Sequence, residues 1–335
     1  MVNFRNMSRL NVRRSAVNNK RIYRHSYFIR FGLAATLLLS IIVFFAEQNL
    51  DLTPVPVATR NSIDGDIAPV DATDRTKRTT HHCLNDDFRP QNTVGVWTML
   101  NDNMDYVKGA AKVGLGVRKT TKTPLDLVVM ELKSKPLSEE TWKILGPSGF
   151  IRCSVESIKA PAKTRGDLTE KFAVLHVWAM EVYETVVFLD ADTFVQNSID
   201  DLIHMDLNGK PLGVTKDIRG GKWVETFNSG VMVLHPTLKE HERLVELLYS
   251  GLQFEFIMSD QGFLNEVYKD NWHEIGFVNN ANLALYKFKR EFWNEHKSED
   301  INVIHYTMQK PWKCRPKGPY GPICTLWINA FANDN

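Results

Sequence analysis

The sequence predicts an α/β domain with a mainly parallel, mixed sheet wound in the Rossmann manner, placed behind an N-terminal transmembrane helix. Three observations carry that prediction. From residue 93 to residue 205, short runs rich in β-branched and apolar residues alternate with stretches of helical length, as βαβ units do. One nine-residue stretch, Val186 to Phe194, is apolar apart from Asp190, Asp192 and Thr193 and reads as a buried strand that ends on two carboxylates. Residues 31–46 carry no charge and follow a tail that is basic throughout.

The tail, residues 1–30, holds Arg5, Arg9, Arg13, Arg14, Lys20, Arg21, Arg24 and Arg30 with no Asp or Glu, so the net charge of +2 conceals a slightly acidic remainder. Basic residues beside an apolar run, with no basic face interleaved with aromatics on a folded domain, argue against a nucleic-acid partner. As a helix, Phe31 to Ala46 spans roughly 24 Å at about 1.5 Å per residue. Tyr27, Phe28 and Ile29 lengthen it while Arg30 snorkels, enough to cross a hydrocarbon core of about 30 Å. The positive-inside bias puts residues 1–30 in the cytosol and everything after residue 47 across the membrane, a single-pass type II signal anchor. A cleaved signal peptide fits less well, because its charged region would be unusually long and no small-x-small site follows. Residues 47–91 are rich in Pro, Asp and Thr, the composition of a stalk. The folded domain is expected over residues 92–335.

Within that domain the order begins with a strand at Thr93–Leu100 and a small-residue helix at Tyr106–Val117. The glycines of that helix, Gly109 to Gly116, are read as close packing of helix on sheet. A strand at Leu125–Leu132 follows, then a helix capped by Ser138 and a strand at Phe150–Val155. A helix at Leu168–Met180 leads into the Val186–Phe194 strand, and Ile199–Met205 forms a short helix after it. Farther on, Thr226–His235 reads as a strand, Ser259–Tyr268 as a helix with Ser259 as N-cap, and Ile301–Trp312 as a strand ending on His305. The four cysteines, Cys83, Cys153, Cys314 and Cys324, all follow the apolar run, where an oxidising compartment allows up to two disulfides. Cys314 and Cys324, flanking a Pro/Gly-rich loop, are the preferred pair. No C-x-x-C occurs, which argues against a structural zinc site.

The chemistry concentrates at the end of the apolar strand. In α/β sheets the carboxyl ends of the strands open on the ligand crevice, and two carboxylates held close together there call for a cation between them. The first βα turn lacks G-x-G-x-x-G, and no phosphate-binding G-x-x-x-x-G-K sequence occurs.

Four motifs stand in order: Asp190-Ala-Asp192, Phe227-Asn-Ser-Gly-Val231, Ser259-Asp-Gln-Gly-Phe-Leu-Asn265 and His305-Tyr-Thr-Met-Gln-Lys-Pro-Trp312. Together they resemble the glycogenin-like members of glycosyltransferase family 8 over roughly residues 92–313. The resemblance implies a GT-A fold, a UDP-sugar donor, a divalent cation that is usually Mn2+, and retention of anomeric configuration. It assigns Asp190, Asp192 and His305 to the metal and Lys310 to the diphosphate. Tyr106, Arg165, Asn228, Ser229 and Gly230 fall to donor binding, with Asn228 on the sugar hydroxyls. Asp260 and Gln261 match the pair that faces the anomeric carbon, Asp260 acting as nucleophile or as stabiliser of an oxocarbenium-like ion. A UDP leaving group gathers negative charge, which a cation and a lysine neutralise. The implied acceptor is a glycan, glycolipid or protein, and the implied compartment is the Golgi or endoplasmic reticulum lumen.

The chain departs from the family pattern at Val174, where a lysine is usual and Lys171 stands one turn earlier. It also has Ile257 in place of an aspartate, and Met308 in place of a glycine in a loop one residue shorter. Tyr286, seven residues after Asn279, matches the spacing of glycogenin's self-glucosylated tyrosine, although a membrane anchor suits an external acceptor better. Two rival readings are a catalytically inactive UDP-sugar-binding protein, prompted by Ile257 and Met308, and a phosphatase of the haloacid-dehalogenase type, prompted by the apolar strand and D-x-D of Val186 to Thr193, although Phe194 stands where that motif carries its threonine. The second lacks the downstream acidic pair such enzymes need.

Overall fold

The computed structural model describes residues 82–330. The basic tail, the apolar run 31–46 and most of the expected stalk lie outside the described residues. Among those described, no helix is long and apolar enough to cross a membrane.

The strands are β1 (Val94–Met99), β2 (Asp126–Leu132), β3 (Phe150–Val155), β4 (Thr185–Leu189), β5 (Thr193–Val195), β6 (Gly213–Arg219), β7 (Lys222–Leu234), β8 (His273–Glu274), β9 (Ala281–Asn282) and β10 (Val303–His305). They form a seven-stranded sheet of order β3-β2-β1-β4-β7-β6-β8 and a three-stranded sheet of order β5-β10-β9. The first four strands of the large sheet run parallel, with Val96 opposite Val187 and Leu127. β7 then runs antiparallel to β4, so the sheet is mixed, as expected.

Alternation along each strand builds two cores. Val96, Leu127, Val129, Val187, Leu189, Val231 and Val233 face one side of the large sheet, and Trp97, Val128, Met130, Phe188, Met232 and Leu234 face the other. A strand buried on both faces reads as an unbroken apolar run, which is why these strands were legible. Helix α1 (Met104–Thr120) covers the first face with Val107, Ala110, Val113 and Val117. Helix α2 (Glu139–Leu145) starts where expected, the Ser138 hydroxyl accepting from the Thr141 amide. A short turn of helix, α3 (Asp200–Ile203), follows β5. Helices α4 (Leu238–Tyr249) and α5 (Ser259–Val267) pack on the second face. A third core lies around the small sheet, with Phe194, Ile304 and Tyr306 at its centre.

Four expectations need correction. The Val186–Phe194 stretch is two strands in two sheets: β4 ends at Leu189, and the chain turns through Asp190-Ala-Asp192 before β5. The helix expected at Leu168–Met180 is present with shifted bounds, as a 14-residue 3-10 helix over Gly166–Ala179. From Phe172 to Ala179 every residue is buried, so the sequence offers no amphipathic period from which the winding could be read. β7 begins four residues early and forms a hairpin with the unanticipated β6 across Gly220-Gly221, both at positive φ, with Arg219 opposite Lys222. That Gly-Gly pair between two strands was the available signal. Finally, Ser259 does not cap α5: at φ +53 its hydroxyl donates to the Leu168 carbonyl instead, tying α5 to the 3-10 segment.

Two disulfides close the domain, Cys83–Cys153 and the expected Cys314–Cys324.

Candidate active site

The turn between the two sheets is held from both sides. The Asp190 amide donates to the Gly230 carbonyl of β7 at 2.8 Å, and the Tyr306 amide after β10 donates to the Asp192 carbonyl at 3.0 Å. The Thr193 amide closes the turn on the Asp190 carbonyl. Antiparallel pairing places His305 opposite Thr193, so register alone delivers the imidazole to the carboxylates. His305 Nε2 lies 3.5 Å from Asp192 Oδ1 and 3.9 Å from Asp190 Oδ2, and one ligand atom from each of the three falls within 4.8 Å of the others.

Close approach of backbone makes this possible at two glycines. A Cβ on Gly230 would sit 2.0 Å from His305 Cε1, and one on Gly109 of α1 would sit 2.3 Å from the Ala191 carbonyl oxygen. The reading of the α1 glycines as packing residues is borne out. Gly230, expected to bind donor, also clears space for the His305 ring.

Two lysines flank the acids. Lys171 Nζ lies 3.1 Å from Asp190 Oδ1, and Lys310 ion-pairs with Asp192. Burial would raise the Asp192 carboxyl, but the facing His305 and Lys310 outweigh it and hold it below the usual carboxylate range. Asp190, aided by Asp260 and Asp192, holds Lys171 above its ordinary value against the cost of burial. The shift of Lys171 one turn from the family position thus leaves a cation on the first carboxylate.

Behind the triad runs a chain of side-chain amides. His305 Nδ1 meets Asn280 Oδ1 at 3.1 Å, Asn280 Nδ2 donates to Asn228 Oδ1 at 3.0 Å, and Asn228 Nδ2 donates to Gln261 Oε1 at 3.2 Å. Gln261 Oε1 also accepts from the Ser229 amide, and its Nε2 donates to Asp217. Nδ1–H donation to Asn280 leaves the Nε2 lone pair of His305 facing the carboxylates, the arrangement of a ligating histidine. Sequence reasoning missed Asn280; the polar run Asn279-Asn280-Ala-Asn282 in an apolar neighbourhood was its only signal.

A cleft of about 630 Å3 opens over this floor, lined among others by Asn101, Tyr106, Arg165, Lys171, Asn228 and Lys310 together with the triad. Tyr106 is braced edge-on by Trp312, 4.6 Å away. Arg165 is exposed and held by Asp167 at 2.6 Å. Gln261 is buried and engaged with β7, so it positions Asn228 and Ser229 from behind. Burial, opposed by Lys171 and reinforced by Asp190, pushes Asp260 up to about 6. Tyr286 does not line this cleft: it is buried against Trp293, with the Arg290 guanidinium 3.4 Å over its ring.

Two carboxylates and an imidazole, backed by a hydrogen-bonded amide, are donors that suit a manganese-class divalent ion. Comparisons with known proteins place the chain in a family. The family model described as Glycosyl transferase family 8 matches residues 99–315. Glycogenin-1 of Mus musculus is 30% identical over 66% of this chain and 66% of its own. A UDP-glucuronate:xylan alpha-glucuronosyltransferase of Arabidopsis thaliana is 25% identical over 68% of this chain and 36% of its own. Several curated relatives are thus considerably longer than the stretch they share with this chain. Among solved structures, the galactosyltransferase LgtC, in complex with donor and acceptor sugar analogues, superposes with a TM-score of 0.51 over 70% of this chain and 95% of its own at 19% identity, a likeness of fold.

Proposed function

The chain belongs to glycosyl transferase family 8, and on that premise we propose that it is a metal-dependent, retaining glycosyltransferase that moves a hexose-type sugar from a UDP-sugar to a glycan, glycolipid or protein. The observation that carries this reading is the convergence of Asp190, Asp192 and His305 at the carboxyl end of β4, with Lys171 and Lys310 on either side. A divalent cation bound there supplies charge neutralisation for the departing diphosphate. Asp190, Asp192 and His305 hold it. Lys310 exchanges its partner Asp192 for a phosphate oxygen and stabilises the leaving group as the glycosidic bond breaks. Asn228, fixed by Gln261 and Asn280, presents its amide to the sugar, and Tyr106 closes the wall braced by Trp312. Asp260, beside Lys171 and Asp190, is the carboxylate nearest in character to a group that stabilises positive charge at the anomeric carbon.

The compartment belongs to the same proposal. Two disulfides suit an oxidising lumen, and the uncharged run 31–46 behind a basic tail suits a type II anchor in the Golgi or endoplasmic reticulum membrane. Ile257 and Met308 are both exposed, at 61% and 41%, and neither displaces a triad residue, so the departures that prompted an inactive binder leave the metal grip whole. The phosphatase reading is set aside by the family. Self-glycosylation at Tyr286 is not proposed, since that side chain is buried and does not line the cleft.

The test is UDP release by the purified chain with manganese and a panel of UDP-sugars, beside an Asp190→Ala/Asp192→Ala variant. Release with one sugar, dependent on manganese and absent from the variant, is the expected result. Failure to bind UDP with manganese present would overturn the reading.

A further inference from the structure

A second cluster of metal-ligating side chains lies outside the cleft. His82 precedes the disulfide-bonded Cys83, His176 sits near the end of the 3-10 segment, and His241 lies in the first turns of α4. One ring nitrogen from each falls within 4.8 Å of the other two. His82 Nδ1 and His176 Nδ1 are 3.3 Å apart. The His241 ring stands edge-on to His82 at 4.6 Å and stacked with His176 at 5.2 Å.

The hydrogen bonding around the cluster is informative. His176 Nε2 lies 2.9 Å from the Glu156 carbonyl oxygen, which can only accept. The ring therefore carries its proton on Nε2 and turns its Nδ1 lone pair toward the cluster, where in the absence of an ion it accepts a hydrogen bond from His82 Nδ1, and a ligating histidine is commonly oriented in this way by a backbone carbonyl. His241 is 7% exposed, and neither of its ring nitrogens has a hydrogen-bond partner among the described residues. Native interiors rarely leave a buried donor and a buried acceptor both unmet. A bound cation uses one nitrogen of each ring. Zinc–nitrogen bonds of about 2.0–2.1 Å in a tetrahedron set neighbouring nitrogens roughly 3.3–3.4 Å apart, the separation found between His82 and His176.

We propose that His82, His176 and His241 form a three-imidazole site for a divalent transition metal of the zinc class, separate from the carboxylate triad. Its chemistry differs from that of the cleft. Three neutral nitrogen ligands without a carboxylate suit zinc, copper or nickel, whereas carboxylate-bearing sites suit manganese and magnesium. The three ligands come from three separate segments, so the site's role is structural: it fastens the segment before Cys83 to the 3-10 segment and α4. The lack of a C-x-x-C has no bearing on such a site, because no local spacing encodes its ligands.

The test uses the full chain with its disulfides intact, freed of metal by chelation and titrated with zinc under excess manganese. One equivalent of zinc, a raised Tm, and a tetrahedral cobalt(II) absorption on cobalt substitution are expected. His241→Phe, which keeps the stacked ring, loses all three but retains its circular dichroism and manganese-dependent UDP binding. Asp190→Asn/Asp192→Asn keeps the zinc. If His241→Phe does not fold, His176→Gln, whose amide can still donate to Glu156, is read by the same cobalt spectrum. Wild-type protein that takes no zinc, or a folded variant that takes as much as wild type, overturns the proposal.

Discussion

At the scale of single residues, the site depends on atoms that are missing as much as on those present. Gly230 leaves room for the His305 ring, and an added methyl would overlap it at 2.0 Å. Gly230→Ala is therefore expected to turn the imidazole off the carboxylates and weaken manganese affinity roughly 10- to 100-fold, the cost of disturbing a ligand's support. Manganese titration of UDP release reads this out; an unchanged midpoint would remove His305 from the ligand set. Asn280→Ala, which removes the acceptor from His305 Nδ1, is expected to fall in the same range with the fold unaltered. The acids and the histidine were legible because each sits in a short motif at a strand end. Asn280 was not, because its importance arises only when the β9–β10 pairing sets Asn282 beside His305. Ser259 was misread for a related reason: Ser before Asp-Gln is a sound local cap signal, yet a long-range bond to the Leu168 carbonyl outcompetes it.

At the scale of elements, α1 and the Asp190–Asp192 turn are a single mechanical unit. The Gly109 face of α1 lies against the Ala191 carbonyl and the Trp312 ring, both of which an added Cβ would meet within 3 Å. Gly109→Val should leave α1 helical while displacing the turn, and a shift near 1 Å in a catalytic constellation costs about a hundredfold in rate. Comparing UDP release with far-ultraviolet circular dichroism separates the two effects: a variant of wild-type rate would show that the turn does not depend on this contact. Helix α2 permits a plainer expectation. Ser138 caps it and Asp102 accepts from the Ser138 amide and hydroxyl and from Thr141, so Ser138→Ala is expected to lower stability by about 1 kcal/mol in denaturant unfolding. Strands buried on both faces and capped helices were legible in the sequence. The winding of the 3-10 segment was not, since burial on every side erases the periodicity that distinguishes helix types. β6 carries Lys216, Asp217 and Arg219 among its seven residues and has no unbroken apolar run, so only the Gly220-Gly221 turn marks it.

At the scale of the whole molecule, the two disulfides hold different spans. Cys83–Cys153 closes a separation of 70 residues and Cys314–Cys324 one of 10. Loop-closure entropy puts their contributions at about 4 and about 3 kcal/mol respectively. Cys83→Ala/Cys153→Ala should therefore lose more stability than Cys314→Ala/Cys324→Ala in guanidinium unfolding; the opposite order would mean that native contacts, and not the unfolded chain, set the difference. The metal grip also has an order in time. A ribosome that has just delivered the Asp190–Asp192 turn must still add the hairpin, α4, α5 and both partner strands of the small sheet before Lys310 arrives, 118 residues after Asp192. A nascent chain can thus assemble β1 to β4 early and yet hold no complete triad. A chain that ends between residues 275 and 304 has every strand of the large sheet and lacks both His305 and Lys310.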